Sequence, residues 1–178
     1  MTATLGFLTV RRHAEHGYFG GYLVVNEMAR PLEFQCTLPV KPSRAQQVLY
    51  GPTLDDFICG EQIAKALVTK AKLTPDLVVA DSRAVLAMSN VSKTPIAIID
   101  QAGQAFEHKT LHVAPESKVM TTRVHVDGLK LLAPAGSTID EAFAAELYEK
   151  LHPSFDFDEP FQRIIEALAE AHPVTNAA

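Results

Sequence analysis

The chain has no tryptophan, only two cysteines, and no apolar run near the roughly 20 residues that a membrane-spanning helix needs. Each absence excludes a class of protein. Cys36 and Cys59 form no C-x-x-C pair and sit in no metal-spaced cluster, so neither a disulfide framework nor a thiolate zinc site is expected. Both read as free, buried thiols. A phosphate-binding glycine loop, a dinucleotide fingerprint and a G-x-S-x-G nucleophile turn are also missing. The first eight residues lack the basic start and apolar stretch of a signal peptide, which predicts a cytoplasmic protein with no membrane partner. Positive charge is scarce too. Sixteen Lys and Arg stand against 21 Asp and Glu, a net charge of −5, and general nucleic-acid binding normally requires a basic footprint.

What is present suits a globular α/β protein. The 178 residues, 47% hydrophobic and 21% charged, are enough for one domain with a substantial core. Within residues 1–42, three segments (5–10, 18–26 and 32–40) read as an antiparallel meander. The second segment is apolar on both faces and belongs at the centre, with Gly20-Gly21 marking a bulge or a close backbone approach. The third alternates, which places Leu32, Phe34, Cys36, Leu38 and Val40 on one buried face.

Residues 43–100 read as helix, strand, helix, strand. Ser43 caps a short helix to Tyr50, Gly51-Pro52 interrupts it, and a longer helix covers about 54–72. Apolar strands 77–80 and 96–99 flank a short helix at 83–88. Residues 101–121 are loop-rich. Residues 122–173 hold a hairpin turning at Asp127-Gly128, then a helix capped at Thr138 with Glu141, then a helix starting near Pro160. Residues 174–178 read as a frayed tail.

Both parallel-type strands stop on an acid, Asp81 and Asp100. Parallel strands deliver such residues to the carboxyl edge of a sheet, where open α/β folds bind their ligands. If adjacent, the two carboxylates repel and recruit a cation. Glu61 interrupts the apolar stripe of the long helix and is a third candidate acid. The competing reading makes Asp81 or Ser82 the cap of the helix at Arg83 and Asp100 the start of a turn before Gly103. His13 and His16, and His108 and His112, have suggestive spacing, but zinc needs three or four convergent ligands and solvated loop histidines are the simpler account. Arg11 and Arg12, at the end of the first strand, are candidate anion contacts. Phe161, Ile164, Ile165 and Leu168 form one face of the last helix, which either packs on its own sheet or joins a partner subunit.

The order of elements over residues 5–100 resembles the ribonuclease H-like fold. That resemblance implies acids on the first strand, on or near the first long helix, and at the end of the fourth strand, together holding divalent metal. Glu61 and Asp81 match the second and third; the first strand carries Arg11 and Arg12 and no acid. Separately, residues 20–42 and 49–54 resemble a family of uncharacterised bacterial proteins, which implies a bacterial source and no particular activity. The expectation is therefore a non-catalytic, self-associating binding or assembly protein, with no cofactor and without nucleic acid as a general partner. The alternative is a metal-dependent phosphodiesterase or nuclease using Asp81, Asp100 and Glu61 with Mg²⁺ or Mn²⁺.

Overall fold

The computed structural model describes residues 2–100 and 107–176. Its spine is two long strands, β1 (Thr4–His13) and β2 (Gly17–Asn26), paired antiparallel over their whole length. β2 is buried on both faces, as its unbroken apolar sequence requires. The edge strand β3 (Pro31–Cys36) follows. It is shorter than its alternation predicts, and its apolar face is uncovered: Leu32, Phe34 and Leu38 remain exposed. A period of two sets which side chains share a face, but covering that face takes another element, and here the core reaches only Cys36 at its end.

Helix α1 (Arg44–Tyr50) begins with the Ser43–Gln46 capping box. A 3₁₀ turn, Gly51–Thr53, leads into a long helix wound as π-helix over Asp56–Ala64 and as α-helix over α2 (Lys65–Lys70). Next come β4 (Leu77–Ala80), a 3₁₀ segment (Ala84–Asn90) and β5 (Ile96–Ile99). Residues 101–106 lie outside the described residues. Beyond them are the two-residue β6 (His112–Val113) and the hairpin β7 (Thr121–Val126) and β8 (Leu129–Pro134). The hairpin pairs Val126 with Leu129 and Val124 with Leu131, and Gly128 turns it at φ 89°.

Helix α3 (Glu141–Glu149) is capped by Asp140, which accepts from the Phe143 N–H at 2.8 Å, and not by Thr138. Helix α4 (Glu159–Ala171) ends the regular structure. The expected tail is instead a 3₁₀ turn, Pro173–Asn176, with Thr175 buried.

The strands order as β3-β2-β1-β4-β5-β8-β7 in one mixed sheet. β1, β4 and β5 run parallel, so their carboxyl ends share one edge. β4 pairs with residues 5–8 of β1, and β6 continues along that side of β1 opposite Arg11 and Arg12. Helices cover both faces. Leu5, Phe7 and Val79 meet α4, while Leu8, Val10 and Val78 meet Ile58, Ile63 and Met88 of the opposite layer.

The glycine pair makes this approach possible. A Cβ on Gly20 would strike Ile63, and one on Gly21 would strike Ile164 from the other side. Phe161, Ile164, Ile165 and Leu168 are each at most 5% exposed, with the Phe161 ring edge-on to Phe7 at 5.2 Å. The chain's own sheet occupies that face, so it is not available to a partner subunit.

Candidate functional site

Alternation along β1 places Thr9 and Arg11 on the same face as Phe7. Beside them, Asp81 emerges at the end of β4. The Thr9 hydroxyl donates to Asp81 Oδ2 at 2.9 Å, Arg11 Nε donates to Thr9 Oγ1 at 3.0 Å, and Arg11 Nη2 donates to Asp81 Oδ2 at 2.7 Å. Arg11 Nη1 reaches the Leu111 carbonyl at 3.5 Å, just before β6. The triangle is dry: the Arg11 and Asp81 side chains are 2% and 4% exposed. Asp81 Oδ1 is also buried and has no hydrogen-bond partner.

Two-metal chemistry does not fit this arrangement. It requires several anionic oxygens around each ion, and here a guanidinium already lies against the one carboxylate. Among the described residues, no group of three or more His, Cys, Asp or Glu converges on a point that could hold a metal.

The other candidate acids lie elsewhere. Asp81 continues the face of Leu77 and Val79, whereas Asp100 continues that of Ile96 and Ile98, so alternation sends the two carboxylates to opposite faces. Asp100 is exposed. Glu61 accepts from Asn90 Nδ2 at 3.0 Å on the helical layer.

Two acids that periodicity did not single out are buried at the start of the π-helical stretch. Asp55 accepts from the Tyr18 hydroxyl at 2.6 Å and lies 3.8 Å from Arg12 Nη1, whose guanidinium stands 5.5 Å over the Tyr18 ring. Burial, then the hydrogen bond to Asp55, pushes the Tyr18 phenol well above its ordinary range. Asp56 accepts the Lys118 backbone N–H at 2.7 Å, while its Oδ1 is buried without a partner.

Arg11 and Arg12 are adjacent in sequence but differ in role. Arg11 is internal. Arg12 points to the opposite face, is 47% exposed along its side chain, and is paired in register with the exposed His112 of β6. His13 is buried, its Nδ1 accepting from the Glu15 and His16 N–H groups. His108 is held similarly by the N–H groups of Thr110 and Leu111.

Burial, then the Arg11 and His112 charges, lowers the His108 pKa from its ordinary 6.5. The unfolded chain therefore binds this proton more readily, and stability falls as pH drops from 6.5 through the lowered value. An NMR titration of His108 is expected to show a midpoint below 6.5, and Arg11→Met is expected to move it upward. A midpoint at 6.5 in both proteins would refute the assignment.

An antiparallel meander, a parallel β1-β4-β5 core, helices on both faces and an acid closing β4 decide the architecture. The fold is ribonuclease H-like. Solved structures agree. Endonuclease V from Streptomyces avermitilis superposes with a TM-score of 0.52 at 14% identity, over 98% of this chain and 83% of that one. A variant Endonuclease V from Ciona intestinalis, bound to a 23mer DNA containing an inosine followed by a ribo-adenosine, gives 0.51 at 10% identity, over 96% and 85%.

No family model matches the chain, and no curated protein matches it. The likeness is one of fold, and it corrects three expectations. A non-catalytic assembly role, a protein of no particular activity, and the exclusion of nucleic acid all lose their ground in a ribonuclease H-like architecture shared with a DNA-bound endonuclease. Net charge averages over the whole surface and so does not exclude a local field at one edge that attracts nucleic acid. Membrane crossing stays excluded for helices: among the described residues, none is long and apolar enough.

Proposed function

We propose that the protein acts on the phosphodiester backbone of nucleic acid, which it takes across the carboxyl edge of its sheet. The observation that carries this reading is the composition of that edge: a buried acid, Asp81, closes β4 of a ribonuclease H-like sheet, and exposed Arg12 and His112 stand side by side on the other face of the neighbouring β1 and β6. Arg12 and His112 supply phosphate contacts, His112 more strongly once protonated. Arg11 fixes Asp81 through its guanidinium. Divalent metal does not fit against that guanidinium.

The test uses labelled DNA and RNA oligonucleotides, including DNA with an inosine followed by a ribo-adenosine, with Mg²⁺, with Mn²⁺ and with chelator. Salt-sensitive binding and strand scission are expected, with Arg12→Ala reducing the salt slope by about 1. Asp81→Asn should abolish scission while circular dichroism reports a folded chain. Absence of binding at low salt would sink the proposal.

A further inference from the structure

A cavity of about 370 Å³ lies between the π-helical stretch, the end of the 3₁₀ segment Ala84–Asn90 and the residues leading into β7. Its wall includes Asp56, Glu61, Asn90, Lys118, Tyr50 and Phe57. Three properties single it out from the Arg11–Asp81 edge. First, Asp56 is only 8% exposed, its Oδ2 is taken by the Lys118 N–H, and Oδ1 has no partner. A buried carboxylate oxygen without a donor has lost its water and gained nothing in return, and a ligand N–H supplies the missing bond.

Second, Glu61 is oriented through Oε1 by Asn90 Nδ2, so this side of the cavity offers anionic acceptors. Third, the Tyr50 and Phe57 rings stack at 4.2 Å and 12°, giving the wall a flat aromatic portion. The volume falls in the range of sites that enclose a small molecule.

We infer that this cavity binds a planar heterocycle presenting adjacent N–H donors, of which the ring N–H and amino edge of guanine is the natural case. The unpartnered Asp56 Oδ1 accepts one N–H of such an edge and Glu61 the other, and the aromatic wall takes the ring face. Adenine lacks the ring N–H and hypoxanthine lacks the amino group, so each leaves an acceptor unmatched. The guanine can belong to a free nucleoside or to a strand. The strand source rests on the nucleic-acid function proposed above; the nucleoside source does not.

Calorimetric titration with guanosine, inosine, adenosine and short single strands with and without guanine tests this assignment. Guanosine is expected to bind at least about tenfold more tightly than inosine, as one lost hydrogen bond to a charged acceptor implies, with adenosine weaker still. Asp56→Asn should remove the guanosine preference and Glu61→Gln should weaken it.

Binding of guanosine without binding of any strand would uphold the cavity and overturn the proposed function. Guanine-dependent strand binding lost in Asp56→Asn would uphold both. Equal affinity for the three nucleosides, no binding of guanosine or guanine-containing strands, or an unaltered preference in both Asp56→Asn and Glu61→Gln would overturn the assignment.

Discussion

Arg11→Met is expected to destabilise the protein by about 3–5 kcal/mol, because it leaves the Asp81 carboxylate buried and without its counter-charge. For a chain of this size that is a fall in melting temperature of roughly 6–20 °C. The loss is one of desolvation left uncompensated, which the partner substitution can reveal. Replacing both residues, as Arg11→Met with Asp81→Leu, should recover much of the stability, since neither charge then remains in the dry interior. Arg11→Lys should recover less. A single ammonium cannot reach Asp81, Thr9 and the Leu111 carbonyl in the geometry of the guanidinium fork. Urea denaturation of the three variants checks the order. A loss under about 1 kcal/mol for Arg11→Met would mean that the carboxylate is far better solvated than the ion pair implies.

Phe161→Ala comes next in size, at about 3–5 kcal/mol, through lost transfer energy and the cavity left against Phe7. Light scattering alongside denaturation separates this from an interface effect. A core role leaves the mass of the folded species unchanged and lowers the denaturation midpoint. A drop in mass with the midpoint unchanged would instead return Phe161 to an interface between subunits.

The strands were legible because apolar runs, turn residues and acids at strand ends are local signals. The hairpin at Asp127-Gly128 and the strands closing on Asp81 and Asp100 follow from a few consecutive residues each. The site was less legible, for physical reasons that differ by residue. Arg11 and Arg12 look alike in sequence, yet alternation sends one into the core and the other to solvent, and only the position of Asp81 across the sheet decides which is neutralised. Asp81 and Asp100 share an edge but not a face, a distinction that depends on pairing register between strands.

Asp55 and Asp56 fell outside a pattern counted at 3.6 residues per turn, because the helix they begin is not wound at that period. The apolar face of α4 carried two readings of equal pattern, and the close approach allowed by Gly21 favours the intramolecular one.

The change of winding sets which side chains line the cavity beside it. In a uniform α-helix, positions five apart point about 140° away from each other. Residues 56–64 take wider turns with i→i+5 bonds, so Asp56 and Glu61 both face the cavity while Ile58, Ile63 and Leu67 still seat on the sheet. The rod carries two pitches, and the extra residue is absorbed between them. With one residue fewer between them the two acids would stand at i and i+4, about 40° apart in a uniform α-helix, so the wide turn does for a five-residue spacing what regular winding does for four. The two carboxylates on the cavity wall are therefore set by winding as much as by sequence, since regular pitch would turn one of them away.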